Sequence, residues 1–507
     1  MGASELPDDV ELLQEMVRQY EATVTELQRR VEQLEQQLAA LTRRYYGPRR
    51  ERFDDRQQLL FEVDDEPATE ENLPARRRAK RAASRGHGRR RLPVHLLRKR
   101  IEYELPSDQL ACSACGRERT KIGEETSEQL EYKPASLFVI QHVRFKYACR
   151  KCEECVTVAK KPPQPINKGL AGPGLLAYII VSKHSDHLPL YRLEEILSRH
   201  GVRVSRSTMC GWMRACAQLL RPLYDLMTKD VLKSAVIHTD DTTVPVLDRT
   251  FPRTKTARFW VYVGDADHPF CVYDYTPSRS RDGPEQLLQG FRGYLQADAF
   301  AGYNRLYAGT DVTEVACWAH TRRKFYDARL TAPQVAHDAL ARIGQLYDIE
   351  KRCKALSSGE RYDVRQKDAA PLLESFGEWL TEQRRQVLPK SPIRQAVGYA
   401  ISNWTALCRY TEAGFLSIDN NLSERMLRAQ AIGRKNWLFA GSDVGGETAA
   451  VLFSFVASCK HNGVDPYAYF VDVLSQWKTT KRDAADFLPD RWRGRHPEAR
   501  IELNRSA

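Results

Sequence analysis

The chain has 507 residues, enough for several domains with at least one sizeable core, and its lysines and arginines outnumber its acidic residues by 12, 78 against 66. This basic balance favours a polyanionic partner. The first residues lack a basic start followed by an apolar core, and no apolar run approaches the length of a membrane span, so we expect a cytoplasmic protein without a membrane partner. Five of the 12 cysteines crowd into residues 112–155, which indicates metal ligation and argues against a disulfide framework.

The first predicted element is a coiled-coil helix between Val10 and Tyr45. Apolar residues recur through it at gaps that alternate strictly between three and four, a heptad seam of about five repeats with valine at one core position and leucine at the other. This combination favours a parallel two-stranded coiled coil. We assign residues 1–60 to a leucine-zipper domain and expect a homodimer or a higher oligomer. The alternative is an amphipathic helix packed against its own domain.

A linker is predicted next, over residues 61–105, acidic at first and then strongly basic. Between Arg76 and Arg100, 12 lysines or arginines occur without one acidic residue. Such an arm would bind DNA phosphates without sequence preference, and the alternative is a merely solvated linker. The DNA-binding candidates in this arm are Arg89, Arg90 and Arg91.

Two pairs of cysteines follow, in a segment assigned as a zinc ribbon over residues 106–165. The pairs are Cys112-x2-Cys115 and Cys149-x2-Cys152, separated by a strand-like alternation. Four thiolates in two short hairpins match a closed, structural, tetrahedral Zn²⁺ site, and the alternative is free cysteines in a reducing compartment. Cys155 could replace Cys152 as the fourth ligand.

Residues 166–230 have a helical pattern, and within it we predict a helix-turn-helix unit whose turn lies around Gly201. Ser205 is the predicted N-cap of the second helix. The start of a recognition helix contacts base edges or phosphates, and a short helical hairpin without DNA contact is the alternative. The DNA-binding candidates at this helix start are Arg206, Ser207 and Thr208.

Beyond residue 231 the pattern changes to strands. Three strands of a meander are predicted first, then a short helix, a strand that ends near Asp298, and a strand over residues 313–320 before a basic helix. This order is that of a ribonuclease-H-like fold in a multidomain α/β protein. The catalytic core is assigned to residues 231–334 and 411–475, interrupted by a helical insertion over 335–410 and followed by a tail over 476–507.

Three acidic residues in distinctive local phrases are the candidate catalytic site: Asp240, Asp298 and Glu424. Scattered carboxylates brought together at strand ends would suit Mg²⁺, and paired metals can stabilise the attacking and leaving oxygens of a displacement at phosphorus. Asp241 cannot serve equally with Asp240, because adjacent strand residues point to opposite faces. The alternative is three unrelated surface carboxylates.

Several polar side chains near these acids are further candidates. Asn421, Glu424 and Arg428 share one helix face, so a carboxylate, an amide and a guanidinium could contact metal and phosphate together; an exposed helix with a Glu–Arg pair is the alternative. A buried core histidine is the alternative for His320, and simple packing is the alternative for Trp437. The remaining phosphate-binding candidates are His320, Arg322, Arg323 and Lys435, the last beside Asn436.

Longer phrases in the chain carry a family resemblance. HTDDTTV, YLQADAFAGYN, CWAHTRRKF, DNNLSERMLRAQAIGRKNWLFAGS and HNGVDPYAYF together resemble the large DDE transposase of bacterial insertion sequences of the insertion-sequence-66 family. The resemblance covers nearly the whole chain and implies that Asp240, Asp298 and Glu424 hold Mg²⁺ or Mn²⁺. The family usually has Asp-Glu-Thr where this chain has Asp240-Asp241-Thr242.

The function implied by the resemblance is transposition: binding of element ends, strand cleavage, and transfer of the freed 3′ hydroxyl to target DNA. Small accessory proteins of the same element are implied as further partners. Two alternatives stay open, namely a catalytically inactive DNA-binding regulator derived from a transposase and a structure-specific DNA nuclease on the same fold. Nucleotide hydrolysis is rejected, because GSDVGGET lacks the P-loop lysine.

Overall fold

The computed structural model of the protein describes a defined set of residues: 10–46, 137, 146–148, 156–158, 163–167, 169–248, 253–280, 282–309 and 311–501. Within these ranges no helix combines the length and apolar character that a membrane crossing requires. The predicted basic arm with Arg89, Arg90 and Arg91 lies outside the described residues, as do all of the predicted zinc ligands: Cys112, Cys115, Cys149, Cys152 and Cys155.

The predicted zipper segment forms one continuous helix, α1 (Val10–Tyr46). Its seam residues are turned to solvent where their side chains are described, with Val17 55% and Leu27 59% exposed. Two short antiparallel strands, β1 (Lys146–Ala148) and β2 (Val156–Val158), flank the second pair of cysteines. This hairpin is the kind of local structure that a thiolate knuckle needs.

Three helices occupy the region predicted to be helical, namely α2 (Pro173–His184), α3 (Leu190–Arg199) and α4 (Arg206–Val231). The predicted N-cap is confirmed, because the Thr208 N–H donates to Ser205 Oγ at 3.2 Å. Gly201 lies between α3 and α4 with φ +78°, a conformation that side chains with a Cβ rarely adopt. A helix, a tight turn and a second helix therefore follow one another as the sequence predicts.

A five-stranded mixed sheet forms the centre of the protein. Its strands are β3 (Val236–Val246), β4 (Lys255–Val263), β5 (Cys271–Thr276), β6 (Gly293–Gln296) and β7 (Val312–Val315). They lie in the order β5-β4-β3-β6-β7. The first three strands in sequence pair antiparallel, whereas β6 pairs parallel to β3 and β7 parallel to β6. The meander predicted from the apolar runs is confirmed.

Helices flank the sheet and fill the segment between β7 and the last part of the chain. Between the strands lie α5 (Asp282–Leu287) and α6 (Asn304–Tyr307). The later helices are α7 (Trp318–Ala328), α8 (Pro333–Cys353), α9 (Ser358–Val364), α10 (Ala370–Gln386), α11 (Pro392–Ser402), α12 (Trp404–Cys408), α13 (Asn421–Trp437), α14 (Asp443–His461), α15 (Pro466–Gln476) and α16 (Pro489–Arg495).

The strand predicted over residues 313–320 is wrong in its second half. β7 ends at Val315, and α7 begins at Trp318, so His320 lies in the first helical turn. The chain leaves the sheet because the Ala316 N–H donates to the Ala406 carbonyl at 3.0 Å and the Trp318 N–H donates to the Ile418 carbonyl at 3.2 Å. Backbone groups far along the chain, not a neighbouring strand, satisfy these donors.

The helical segment between β7 and α13 has a core of its own. Trp318 packs on Phe376 with ring centroids 5.9 Å apart, and Trp404 meets the same ring edge-on. Arg365 is fully buried there, and its guanidinium donates to Glu350 and to three carbonyl oxygens. A buried cation with all of its donors satisfied can stay charged inside an apolar core.

Side chains and backbone groups from helices cover both edges of the sheet. At the β5 edge the N–H groups of Cys271 and Tyr273 donate to serine hydroxyls of α14, Ser458 Oγ at 2.9 Å and Ser454 Oγ at 2.8 Å. At the β7 edge Arg409 donates to the Glu314 carbonyl at 2.8 Å. These hydrogen bonds hold the flanking helices in register with the sheet.

Candidate active site

Asp240 and Asp298 come from neighbouring parallel strands. Asp298 lies two residues after Gln296, the last residue of β6. Gln296 pairs with His238 of β3. Asp240 lies two residues beyond that pair and opposite Val261 of β4. The expectation that Asp240 ends its strand is therefore wrong, because β3 continues antiparallel to β4 after β6 has stopped. The two carboxylates still lie close together in the middle of the sheet, because β3 and β6 are neighbouring parallel strands and each acid comes two residues after the His238–Gln296 pair.

The three predicted acids interact electrostatically. Burial is the largest cause that raises the pKa of Asp240 to about 7, and the charges of Asp298, Glu424 and Asp241 act in the same direction. The Asp241 N–H donates to Asp240 Oδ1 at 2.7 Å and opposes this rise. Burial also raises the pKa of Asp298. Like charges gathered in a buried place favour a proton or a cation beside them.

Asp241 has a different environment from Asp240. Its side chain is 2% exposed, and its two oxygens accept from Arg258 Nη1 at 2.6 Å and from Arg279 Nη2 at 2.8 Å. The Arg279 guanidinium in turn lies 4.1 Å above the Phe300 ring. Both oxygens of Asp241 are thus occupied by charge-assisted hydrogen bonds, which supports the choice of Asp240 as the site residue.

Glu424 lies in the first turn of α13 and faces α7. Its Oε1 is 3.7 Å from His320 Nε2, and the side chain is 43% exposed. His320 also interacts with Asp298, whose pKa it lowers against the effect of burial. The His320 Nδ1 atom is buried and has no hydrogen-bond partner among the described residues. His320 therefore interacts with two of the three acids.

The start of α13 is tied to the sheet by a residue that sequence reasoning missed. Asn420 is fully buried, and its Nδ2 donates to the Thr239 carbonyl at 2.8 Å while its Oδ1 lies 3.3 Å from His238 Nδ1. Its backbone N–H donates to Cys317 Sγ at 3.2 Å. An asparagine just before a predicted helix was a usable signal, because asparagine is a preferred N-cap.

Gln296 and Arg434 complete the attachment, and sequence reasoning missed both. Gln296 Nε2 donates to the Ser417 carbonyl at 2.5 Å and to the Asp419 carbonyl at 3.1 Å. At the other end of α13, Arg434 Nη1 donates to the carbonyl of Thr243 and to its Oγ1 at 2.8 Å. Neither residue stands out in sequence, since its partners lie more than 100 positions away.

The donor chemistry of the site fits hard divalent cations. Asp240, Asp298 and Glu424 offer carboxylate oxygens, the ligands that Mg²⁺ and Mn²⁺ prefer, and burial of Asp240 and Asp298 makes the charge of these two carboxylates unfavourable without a counter-ion. Among the described residues no three His, Cys, Asp or Glu side chains form a closed ligand set. Glu424 points at His320 instead, so it would have to turn to share a cation with the two aspartates.

The predicted DNA-binding residues lie on exposed helix positions. Arg206, Ser207 and Thr208 are exposed at the start of α4, where Arg206 also lies 3.4 Å from Glu194. Arg323 is exposed on α7, and Arg322 is half-buried beside it. The side chains exposed on α13 include Arg428, Lys435 and Asn436.

Trp437 has a packing role in this structure. It is half-buried against the core between α13 and the sheet, with Lys183 Nζ 5.4 Å from its ring centroid. A Cβ at Gly433 would come within 2.7 Å of Trp437 Nε1, so the ring depends on that glycine. Packing, the alternative weighed for Trp437, thus accounts for its position.

Family comparisons cover most of the chain. The model described as Transposase IS66 family matches residues 168–448, which contain all three acids. The zinc-finger binding domain of transposase IS66 matches residues 109–153, a range that includes the two cysteine pairs and ends before Cys155. Residues 33–101 match Transposase C of IS166 homeodomain, and residues 454–489 match the IS66 C-terminal element.

Full-length relatives support the same assignment. The chain is 32% identical over 508 residues to the uncharacterized protein y4jD of Sinorhizobium fredii, which covers 96% of this chain and 97% of the relative. It is 33% identical over 543 residues to the uncharacterized protein y4qI of the same organism, with 97% and 99% covered. A family match over more than half of the chain, together with relatives of this identity along its whole length, shows that the chain belongs to the IS66 family of transposases.

Proposed function

We propose that this protein is the DNA transposase of an insertion sequence, and that it binds the element ends and catalyses metal-dependent strand cleavage and strand transfer. The observation that carries the proposal is the placement of the three acids: Asp240 lies on β3, Asp298 follows the neighbouring parallel strand β6, and Glu424 lies in the first turn of α13, which Asn420 ties to β3. Asp241 is left out of this group, because its two oxygens accept hydrogen bonds from Arg258 and Arg279.

The strand order supports a ribonuclease-H-like catalytic core. Three antiparallel strands in sequence, followed by two parallel strands on the other side of β3, match the expected arrangement. The acids come from β3, from the residue pair after β6 and from the late helix α13. The helices from α8 to α12 correspond to the predicted insertion. Their buried residues pack with Leu416 and Ile418, in the segment that precedes α13.

The residues that would hold Mg²⁺ or Mn²⁺ are Asp240, Asp298 and Glu424. Bound divalent cations would supply activation of a water or 3′ hydroxyl and would neutralise charge at the scissile phosphorus. His320, with Arg322 and Arg323 on the same helix start, would bind phosphate oxygens beside the acids. Catalysis is then largely positioning, and Asn420, Gln296 and Arg434 provide it by fixing α13 on the sheet.

DNA binding and assembly would use the parts of the chain outside the core. The exposed start of α4 and the basic arm with Arg89, Arg90 and Arg91 would contact DNA. Cys112, Cys115, Cys149 and Cys152 would hold a structural Zn²⁺. The solvent-exposed seam of α1 supports pairing with a second copy as a coiled coil. Accessory proteins of the same element remain proposed partners through the family resemblance.

The test is cleavage of duplex DNA taken from the flanks of this reading frame. We expect Asp240→Asn, Asp298→Asn and Glu424→Gln each to abolish Mg²⁺-dependent cleavage while DNA binding stays nearly unchanged. Glu447→Gln is the matched control, because Glu447 is an exposed acid of α14. Full cleavage by a variant would remove that residue from the site.

A second assay separates the alternatives. Pre-nicked ends incubated with a target plasmid give joined products for a transposase, cut but unjoined products for a structure-specific nuclease, and binding without reaction for an inactive regulator. Joined products support the proposal, and either of the other two results contradicts it.

A further inference from the structure

The turn that follows α13 contains a strained, non-glycine residue. Leu438 has φ 65° and ψ −50°, and the Phe439 N–H donates to the Trp437 carbonyl at 2.8 Å. This is a γ-turn with positive φ, which is rare and unfavourable for a residue with a side chain. Strain of this kind persists only where the surrounding structure enforces it, and it concentrates at functional sites.

The surrounding structure does enforce it, from both sides. The Leu438 N–H closes the last turn of α13 on the Arg434 carbonyl at 2.9 Å. After the turn, the Ala440 N–H donates to the Pro245 carbonyl at 2.9 Å, and the Leu247 N–H donates back to the Ala440 carbonyl at 2.9 Å. The turn is thus clamped between α13 and the end of β3, the two elements that carry Glu424 and Asp240.

The clamped turn presents apolar side chains to solvent. Leu438 is 63% exposed, Phe439 42% and the adjacent Leu247 44%. Burial inside the protein therefore does not compensate the strain at Leu438. A clamped apolar tip that costs stability and leaves much of its apolar surface in solvent is the expected form of a contact surface for a partner.

The charges around the tip indicate which partner fits. Lys435 is exposed on α13 one turn before Leu438, and Arg428 is exposed on the same helix about 15 Å before it along the axis. No ion pair joins either of them to another described residue. Two acids close to the tip in sequence, Asp248 after Leu247 and Asp443 after Ala440, both pair with Lys255, at 3.8 Å and 2.7 Å. An apolar tip at the end of a helix with exposed cations suits nucleic acid, in which bases offer apolar faces and phosphates offer negative charge, and it disfavours a second copy with the same positive charge.

We propose that Leu438 and Phe439 form a wedge that enters the DNA base stack and unstacks or kinks the duplex held by the active site. This inference rests on the proposed function, because it assumes that DNA is bound along α13. Leu438 lies about 14 residues after Glu424, which is about 21 Å along a helix that rises about 1.5 Å per residue. The distorted step therefore lies about six base pairs from the scissile phosphate, at about 3.4 Å per base pair.

The test uses the full-length protein and terminal duplexes with 2-aminopurine placed at successive positions. We expect wild-type binding to raise the fluorescence at about the sixth base pair from the cleavage site, the distance that the length of α13 predicts. The double substitution L438A/F439A should remove that rise. The double variant should cleave paired DNA about tenfold more slowly, equivalent to about 1.4 kcal/mol. A duplex with a mismatched bubble at that step should restore its rate.

The matched control is Tyr362→Ala, because Tyr362 is an aromatic residue of α9 that is 41% exposed, close to the 42% of Phe439. An unchanged fluorescence rise in L438A/F439A overturns the wedge, and so does an equal loss of cleavage on paired and bubble DNA. If the wild type raises the fluorescence but cleaves no DNA, the wedge stands and the proposed catalytic function fails, so the two failures are distinguishable.

Discussion

Replacing Asn420 by alanine would show how far catalysis depends on the attachment of α13 to the sheet. The substitution removes the donor to the Thr239 carbonyl, 2.8 Å away, and the acceptor beside His238 Nδ1, 3.3 Å away. Both partners are buried. A buried polar group left without a hydrogen bond costs about 1–3 kcal/mol, so we expect Asn420→Ala to lower the free energy of unfolding by about 2–4 kcal/mol.

The effect on cleavage should exceed the effect of lost stability. Asn420 directly precedes the helical turn that carries Glu424, so without the tether this carboxylate shifts relative to Asp240. A misplacement of about 1 Å in a catalytic group costs about 10²-fold in rate. We would measure urea unfolding and single-turnover Mg²⁺-dependent cleavage at a temperature where the variant is fully folded.

Asn462 provides the control for lost hydrogen bonds alone. It is also buried, and its Nδ2 donates to the Pro269 carbonyl at 2.7 Å and to the Ser458 carbonyl at 2.8 Å. Asn462→Ala should therefore be destabilised to a similar degree, whereas its cleavage rate should stay within about twofold of wild type, as expected for distant sites. Equal losses of cleavage in both variants, or full cleavage in Asn420→Ala, would refute the reasoning.

Three further predictions address stability and assembly. Burial raises the pKa of Asp274 to about 6 from 3.8, so the stability it contributes is present below pH 3.8 and is lost as the pH rises through about 6. Between pH 3.8 and 7, the free energy of unfolding of the wild type should fall by at most about 3 kcal/mol relative to that of Asp274→Asn, as measured by urea unfolding of both proteins. The same dependence on pH in both proteins would contradict this. The double substitution S454A/S458A leaves two strand N–H groups unpaired and should cost about 2–4 kcal/mol by the same measurement, and an unchanged midpoint would show that water replaces the serines. Leu27→Glu with Leu34→Glu places charges in the exposed seam of α1 and should convert a dimer to a monomer in sedimentation, whereas a wild type that is already monomeric would contradict the coiled coil.

Local patterns in the sequence predicted the local structure well. Alternating and continuous apolar runs are enough to locate β3, β4 and β5, because these strands are buried over much of their length. The start of α4 followed from Ser205, whose capping bond depends only on a residue three positions away. The strict heptad of α1 predicted one long helix, and the structure has it from Val10 to Tyr46.

Features that depend on distant partners were missed or misplaced. The strand expected to reach His320 stops at Val315, because the next donors bond to carbonyls of residues 406 and 418. Asn420 and Arg434 gain their roles only when α13 lies on β3, a contact that no periodicity encodes. Strand alternation predicted that only one of Asp240 and Asp241 serves, and the family resemblance implied Asp240, but the arginines that occupy Asp241 could not be foreseen.

The covered edges of the central sheet limit how copies of this protein can assemble. Serine hydroxyls of α14 occupy strand donors at the β5 edge, and Arg409 occupies a strand acceptor at the β7 edge. A strand from another molecule would have to displace these hydrogen bonds in order to pair at either edge. Association of copies through added strands is therefore disfavoured, and exposed helix surfaces such as the seam of α1 are left as the places where copies can meet.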